Sequence, residues 1–382
     1  MELKIKSMLT VAMMAAAALT TVSCSDDDDD NDNEDKTTAK ETFLAVTNQE
    51  FISKSVHPVY TALMNADKAL LEKVQNLETQ ADVDAACKVW KTARQYWEWS
   101  EAFLFGAATD YSIDPHTDTW PFDSKAFDGY IKRFPDLATN EEAQAIVAEA
   151  IATGQNLTGF HAIEYLLFRE GSPRKIADIT DNEKWFCAEA ASDLYLASIK
   201  LVSSWGGEVD EEQQAILDDN EFESAINYGE NFINAGQAGS TYRTITLASI
   251  QILAGASDIA TEVADSKIGN CYTGVRKDYI ESPHAYNSIT DFYDNIKGCQ
   301  FTIYGGIRQE AYTATSLMAY CMANYPTEAA TLKSTLENAL TAINGMKRPF
   351  ALYFTDESCA TAMEAIHEFD DAMKTLSQKL SE

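Results

Sequence analysis

Apolar residues recur at three- and four-residue spacing through most of the chain after residue 40, and polar residues fill the positions between them. This spacing places apolar side chains along one side of a helix with 3.6 residues per turn. Only 8 prolines and 17 glycines interrupt the 382 residues, and no segment shows a convincing strand pattern. The pattern predicts an all-α protein.

The predicted helices are separated by segments rich in turn residues. They are 40–55, 58–78, 82–105, 123–133, 140–153, 156–169, 181–204, 221–235, 240–265, 285–323 with a break at Gly305 and Gly306, 326–345 and 356–380. The stretch SWGGEVDEE after a long helix is the best candidate for a domain boundary. We therefore expect two packed helical bundles, residues 41–205 and 206–382.

The N-terminus has the features of an export signal. Residues 1–23 carry Lys4 and Lys6, a short apolar run and then small residues, and the run is too short to span a membrane. The sequence LTTVSC resembles the lipobox of bacterial lipoproteins, in which the cysteine is lipidated and becomes the mature N-terminus. Cys24 is thus the predicted lipid attachment point of an outer-membrane lipoprotein that faces the cell surface or the periplasm.

Residues 24–40 are predicted to form a disordered acidic tether. Eight acidic residues lie between Asp26 and Asp35, and their mutual repulsion prevents collapse into a core. The net charge of the whole chain is −31, which makes nucleic acid a poor partner and leaves the lipid anchor as the expected membrane contact. The six cysteines after the signal have no metal-knuckle or redox spacing, and we expect buried free thiols.

One apolar segment, TGFHAIEYLLF at residues 158–168, contains a histidine and a glutamate three positions apart. On a buried helix, His161 and Glu164 can direct an imidazole nitrogen and a carboxylate at one point, as metal sites in helical bundles do. A buried histidine hydrogen-bonded to a glutamate has the same spacing. Spacing alone favours this structural alternative.

A second segment, ARQYWEWSEAFLFG at residues 93–106, places Arg94, Glu98 and Glu101 on one helix face. Two carboxylates one turn apart could complete a metal site, and the arginine would moderate their repulsion and hold them ionised. The alternative is an exposed face of ion pairs. The aromatic surroundings leave the two interpretations equally supported.

Two further segments add polar candidates. Asp114 lies in the acidic loop DYSIDPHTDTWPF, whose spacing does not match a calcium loop. Asn287, Ser288 and Asp291 surround a predicted helix start, where Ser288 could equally be an ordinary cap. The chain lacks the zinc-protease signature, nucleophile elbow, phosphate loop and dinucleotide glycine pattern, so binding is favoured over catalysis.

Taken together, GFHAIE, WEWSEAFLFG, DTWP and SPHAYNSITDFYDNIKG resemble the imelysin family, a bacterial group once described as insulin-cleaving proteases. The resemblance covers nearly the whole chain after the tether. It implies two helical bundles, a motif site near their interface and an association with iron uptake. The family's G-x-H-x-x-E motif corresponds to Gly159, His161 and Glu164, and DTWP contains Trp120. With this resemblance, a functional role for His161 and Glu164 is favoured over a structural hydrogen-bonded pair.

The combined prediction is an exported, lipid-anchored protein that binds iron or an iron-bearing compound for uptake, in a cleft between the bundles. Iron is the expected metal, and other divalent metals remain open. The predicted metal ligands are His161, Glu164, Glu98 and Glu101. The other predicted ligand-binding residues are Gly159, Arg94, Asp114, Trp120, Asn287, Ser288 and Asp291.

Envelope iron-uptake components are the expected partners. Two alternatives stay open from the sequence. One is a metallopeptidase in which His161 is a ligand and Glu164 a ligand or base, and the other is a surface module that binds protein or glycan.

Overall fold

The structure is a computed structural model, and it describes residues 29–154 and 157–382, with side chains from residue 37 onward. This part of the chain is almost entirely helical, as the apolar spacing predicts. The predicted signal peptide, Cys24 and the start of the tether lie outside the described residues. No described helix is long and apolar enough to cross a membrane.

The first half of the chain contains helices of very different lengths. They are α1 (Asp29–Phe51), α2 (His57–Val74), α3 (Gln80–Ser100), α4 (Ala107–Asp110), α5 (Ile113–Thr117), α6 (Ser124–Ile131), α7 (Glu141–Thr153), α8 (Gly159–Leu167) and α9 (Asp181–Ser204). A π-helical segment, Ile52–Val56, joins α1 to α2, and single 3₁₀ turns lie at Glu101–Phe103, Leu137–Thr139 and Ile176–Asp178. Strands β1 (Phe168–Arg169) and β2 (Ser172–Pro173) form a short antiparallel hairpin with Phe168 opposite Pro173.

The second half continues with α10 (Glu211–Asp219), α11 (Tyr228–Ile233), α12 (Ile245–Thr261), α13 (Asn270–Tyr272), α14 (Ser288–Tyr304), α15 (Leu317–Asn324), α16 (Pro326–Asn344), α17 (Phe350–Tyr353) and α18 (Glu357–Ser381). A second π-helical segment, Glu262–Gly269, joins α12 to α13. The predicted 285–323 helix breaks where expected, since α14 ends in a left-handed cap at Gly305. The predicted 240–265 helix ends too early, because the helical path continues to Tyr272.

Local capping explains several helix starts. Helices α3 and α9 begin with capping boxes formed by Thr79 with Asp82 and by Thr180 with Glu183. In each box the threonine hydroxyl accepts from the backbone N–H of the acidic residue, whose carboxylate accepts from the threonine backbone N–H. Helix α10 was not predicted because few of its positions are apolar. The sequence signal for α10 is instead the Asp210–Gln213 capping box.

Helix packing brings distant parts of the sequence together. Helix α2 packs against α3 and α9, and α8 packs against α9 and α3. In the second half, α18 packs against α12 and α16. Helix α14 packs against α3, which belongs to the first half of the sequence. The six cysteines of the described part are buried and free, as predicted. A domain boundary near residue 206 stays a prediction.

One buried carboxyl group, Asp67 on α2, predicts a pH effect on stability. Neither oxygen has a hydrogen-bond partner among the described residues, and burial raises the Asp67 pKa well above its usual value despite the nearby Ser198 hydroxyl. The unfolded chain ionises more readily than the native state, so this group lowers stability as pH rises above about 4. In urea unfolding, wild type should lose at least about 1 kcal/mol relative to Asp67→Asn between pH 4 and pH 7, and parallel profiles would contradict this prediction.

Candidate metal centre

A buried acidic cluster lies where α3, α5, α8 and α14 meet the second π-helical segment. It contains six carboxyl groups and three basic side chains, and each of these residues is less than a tenth exposed. Its members are Glu98, Glu101, Asp118, Glu164, Glu281 and Asp291, with Arg94, Lys267 and His161. Carboxyl groups outnumber the basic groups two to one, which is unusual for a buried site.

Arg94 links several of the carboxylates. Its Nη2 lies 2.5 Å from Glu98 Oε1 and 2.7 Å from Glu281 Oε1, and its Nη1 contacts Asp118 Oδ1. The Nε atom is 3.9 Å from Asp291 Oδ1. The guanidinium group is fully buried, so it joins segments that are nearly 200 residues apart in sequence.

Lys267 neutralises the other side of the buried acidic cluster. Its Nζ lies 2.8 Å from Glu101 Oε2, 2.9 Å from Glu281 Oε1 and 3.5 Å from Glu98 Oε2. Asn295 on α14 donates from Nδ2 to the same Glu98 and Glu101 carboxylates, at 2.5 Å and 2.8 Å. Glu98 and Glu101 therefore share a lysine and an amide.

His161 lies between two carboxylates. Its Nδ1 donates to Glu164 Oε2 at 3.1 Å, and its Nε2 lies 3.1 Å from Asp118 Oδ1 without hydrogen-bond geometry. Asp118 Oδ2 accepts from Trp97 Nε1 at 2.9 Å, which fixes the carboxylate plane. The buried Nε2 atom is thus left pointing at an acidic neighbour with no hydrogen bond.

Glu164 is held by backbone amides. Its Oε1 accepts hydrogen bonds from the N–H groups of His284 and Ala285, each at 2.7 Å, and its Oε2 accepts from His161. With both oxygens engaged, Glu164 orients the imidazole and joins α8 to the loop before α14. It is not free to act as a base in this arrangement.

Two close backbone approaches bring these elements together. Gly298 on α14 faces the α3 backbone, where an added Cβ would lie 2.6 Å from the Trp99 carbonyl oxygen, so α14 can bring Asn295 against Glu98. The β1–β2 hairpin supports the loop before α14, because the Gly171 N–H donates to the His284 carbonyl at 2.8 Å. That loop contains two non-glycine residues with positive φ, Ser282 and Tyr286, and such strain is often found near functional sites.

Burial and unequal charge shift the acid–base properties of the cluster. Burial raises the pKa values of Glu98 and Glu101 well above their usual range, although Lys267 opposes the shift. Burial raises the pKa of Glu281 to about 7 against the effects of Lys267 and Arg94. Asp118 differs, because Arg94 and His161 outweigh its burial and hold its pKa well below the usual value. Protons and a metal ion would therefore compete for several of these oxygens.

His161 is cationic at neutral pH in this arrangement. Burial alone would lower its pKa, but the Asp118 and Glu164 carboxylates raise the pKa to about 9. Metal binding through Nε2 requires the neutral ring, so a metal would replace a proton there.

The structure brings most of the predicted site residues into or beside the buried acidic cluster. Asn287 donates to Asp291 Oδ1 at 2.6 Å, and the Ser288 hydroxyl donates to the Glu281 carbonyl at 2.5 Å. Ser288 is therefore not the helix cap. Asn287 takes that position without a side-chain cap bond. The face that carries Arg94, Glu98 and Glu101 is buried rather than exposed, although its residues form ion pairs. Their role in metal binding stays a prediction.

Three predicted residues lie at the edge of the cluster or act through the backbone. Asp114 is half-buried, and burial followed by the Asp118 charge raises its pKa to about 7. The Trp120 ring packs on Tyr279 with centroids 3.9 Å apart, two residues from Asp118. Gly159 allows α8 to start against the Thr117 carbonyl.

Sequence reasoning missed Asp118, Lys267, Glu281 and Asn295. Asp118 lies in the acidic loop DYSIDPHTDTWPF, and Glu281 directly precedes SPHAYNSITDFYDNIKG, but neither residue has a motif spacing of its own. Lys267 lies two residues beyond the predicted 240–265 helix, and the π-helical segment and distant packing bury it. Asn295 occurs one helical turn after Asp291, and this spacing was an available signal.

Comparisons with known proteins agree with this fold and motif. The imelysin family matches residues 56–380, which is most of the chain. The chain belongs to the imelysin family. Iron-regulated protein A of Synechococcus elongatus is 29% identical over 315 residues, which cover 81% of this imelysin and 78% of that protein.

Two solved structures share the fold of this imelysin. The crystal structure described as an iron-regulated protein A precursor of Parabacteroides distasonis has a TM-score of 0.76 at 23% identity, covering 89% of this chain and 95% of that one. An imelysin-like protein of Psychrobacter arcticum has a TM-score of 0.56 at 15% identity, covering 89% and 92%.

The donor atoms of the cluster fit a metal ion. Asp118, His161 and Glu281 offer one nitrogen and two oxygens that lie within 4.8 Å of one another. His161 Nε2 and Glu281 Oε2 are buried and have no hydrogen-bond partner in the described part of the imelysin. A metal-binding histidine usually donates its other ring N–H to a carboxylate, as His161 does to Glu164.

Proposed function

We propose that this imelysin is an exported, lipid-anchored protein that captures iron at the buried acidic cluster, for transfer to uptake components of the cell envelope. His161 Nε2, Asp118 and Glu281 would hold the ion. Glu164 would orient His161 through Nδ1 rather than bind the metal directly. One imidazole with carboxylates suits Fe²⁺, and also Mn²⁺ or Zn²⁺, so iron is the expected rather than the exclusive ion.

The observation that carries this proposal is the buried Nε2 atom of His161, which faces Asp118 Oδ1 at 3.1 Å without hydrogen-bond geometry. It is buried beside Asp118 in a site with twice as many carboxyl groups as basic groups. A metal ion would satisfy Nε2 and offset the excess negative charge.

Other features support parts of the proposal separately. The name of the Synechococcus elongatus relative, iron-regulated protein A, supports iron as the metal. The N-terminal segment with Cys24 supports export and lipid anchoring on sequence grounds. The burial of His161 and its neighbours favours a bare ion over a bulky chelate in this conformation.

The test is metal titration of the purified protein. Wild type, His161→Ala and Glu164→Gln would be titrated with Fe²⁺ without oxygen, and with Zn²⁺ and Mn²⁺, by calorimetry. We expect His161→Ala to weaken binding at least tenfold, because it removes the only nitrogen ligand. Glu164→Gln should weaken binding about 10- to 100-fold by disturbing the imidazole orientation.

The effect of metal on stability separates a ligand from a structural group. Without metal, both His161→Ala and Glu164→Gln should lower the melting temperature, because each removes a partner from buried hydrogen bonds. His161→Ala should also lose the rise in melting temperature that metal gives to wild type. His367→Ala is the matched control, since His367 is exposed and paired with Asp265 on the surface. Failure of wild type to bind any of the three metals would contradict the proposed function.

A further inference from the structure

The Lys267 ammonium group is surrounded as a bound metal ion would be. Four oxygens lie within 3.5 Å of Nζ, one each from Glu98, Glu101, Glu281 and Asn295. The side chain is fully buried, so water does not complete this shell. An ammonium group donates three hydrogen bonds at most, so four oxygens exceed what lysine alone requires.

The backbone that carries Lys267 is unusual. Glu262–Gly269 is a π-helical segment between α12 and α13. Such segments are rare and are often found at functional sites. Lysine also has a long flexible stem and a compact charge, unlike the planar Arg94 group that is fixed against three carboxylates. Of the two cations, Lys267 can therefore leave its position more easily.

The surrounding carboxylates retain unused binding capacity. Glu281 Oε2 and Asp291 Oδ2 are buried without hydrogen-bond partners in the described part of the chain. Glu98, Glu281 and Asp291 offer oxygens within 4.8 Å of one another, and so do Glu98, Glu101 and Asp118. These buried carboxylate oxygens are therefore available to bind a further cation.

We infer that Lys267 is an internal cation that occupies a second metal position, formed by Glu98, Glu101, Glu281 and the Asn295 side-chain oxygen. While the lysine is inserted, the protein holds one ion at His161. When the lysine is absent or withdrawn, a second ion takes the place of the ammonium group. This inference rests on the proposed metal-binding function of the same cluster, and the two positions share Glu281 while their other ligands differ.

The ligand chemistry defines which ions fit. All four candidate ligands are carboxylate or amide oxygens, which suit hard divalent cations such as Mn²⁺. This second position has no nitrogen ligand, so it should prefer Mn²⁺ over Zn²⁺ more strongly than the His161 position does. Lysine at this position would keep such ions from filling the cluster and would leave the nitrogen-containing position for capture.

The test compares metal stoichiometry in wild type and Lys267→Met. Each protein would be equilibrated with Mn²⁺, and bound ions per chain would be counted by electron paramagnetic resonance and elemental analysis. We expect one ion in wild type and two in Lys267→Met. We expect one ion in the double variant His161→Ala/Lys267→Met, because only the second position remains. Lys297→Met is the matched control, since Lys297 is also buried but contacts Gln300 and Glu310.

The outcomes distinguish this inference from the proposed function. One ion in both wild type and Lys267→Met would overturn the inference and leave the His161 site intact. No ion in wild type with one in Lys267→Met would support the second position and contradict the His161 site. No ion in either protein would overturn both.

Folding of the variant provides a second readout. Removing Lys267 leaves buried carboxylates without their cation, so Lys267→Met should melt below wild type without metal and recover with Mn²⁺. Lys267→Gln keeps hydrogen-bond donors for Glu101 and should show the same gain of an ion with a smaller loss of stability. The proposed replacement of the Lys267 ammonium group by an ion requires that the ion restore the missing positive charge. It would be wrong if both variants stayed unfolded at saturating Mn²⁺.

Discussion

Arg94→Met is expected to lower the free energy of unfolding by about 3–5 kcal/mol, the usual effect of removing one partner from a buried ion-pair network. Arg94 is fully buried and contacts Glu98, Asp118 and Glu281 at once. Methionine keeps much of the stem volume but leaves these carboxylates facing one another. Urea unfolding at pH 7 measures the loss.

The pH dependence of this loss separates charge from packing. Arg94 is the main group that holds the Asp118 pKa well below its usual value. Such a depressed carboxyl pKa contributes stability above the unfolded-state pKa and loses it as pH falls. That loss falls below about pH 4 and leaves wild type unaffected between pH 7 and pH 4. In Arg94→Met the uncompensated buried carboxylates take up protons as pH falls from 7 toward 4, so the difference from wild type should shrink over this range.

Arg243→Met is the control for Arg94→Met, because Arg243 is exposed. It should change the unfolding free energy by less than about 0.5 kcal/mol. If Arg94→Met lost the same free energy of unfolding at pH 4 and at pH 7, packing rather than charge would be responsible.

The helices could be predicted because their signals are local. Apolar spacing identified α2, α3, α9 and α18 to within a few residues. Helix α10 shows the limit of that approach, since its start is encoded in the Asp210 capping box rather than in an apolar stripe. Local patterns also predicted that Arg94, Glu98 and Glu101 share a helix face.

The buried acidic cluster could be predicted only in part. The i, i+3 spacing correctly indicated that His161 and Glu164 could meet. The amides that hold Glu164 come from residues about 120 positions away, and the spacing within one helix cannot reveal them. Lys267 has no motif around it, and a single lysine in an acidic chain normally indicates a solvated surface. Its role depends on non-local packing around a π-helical segment.

The contrast between local spacing and contacts from distant segments also changes the interpretation of the G-x-H-x-x-E motif. From sequence, His161 and Glu164 were predicted to be two ligands of one metal. In the structure, Glu164 uses both oxygens on its own protein, whereas Asp118 and Glu281 supply the oxygens nearest to a metal position at His161. Under the proposed function, the motif would supply one ligand and its orienting carboxylate, and the remaining ligands would come from distant segments. The first residue of the motif, Gly159, requires a separate explanation.

Gly159→Ala is expected to destabilise the protein by about 3 kcal/mol, from backbone strain and a steric collision together. Gly159 has a φ of +75°, and an added Cβ would lie 2.1 Å from the Thr117 carbonyl oxygen and 2.7 Å from its carbon. Both are backbone atoms, so no side-chain rotation relieves the contact. Helix α8 would have to move away from the end of α5.

That movement should also weaken metal binding, because Thr117 directly precedes Asp118 and Gly159 lies two residues before His161. Gly239→Ala is the matched control, since Gly239 has a φ of +98° but open space around the position of a new Cβ. Gly239→Ala should lower the free energy of unfolding by about 1–2 kcal/mol through backbone strain alone. Its metal affinity should equal that of wild type. Chemical unfolding and metal titration of both variants measure the two effects. If Gly159→Ala matched Gly239→Ala in both, the glycine of the motif would have no role in holding Asp118 beside His161.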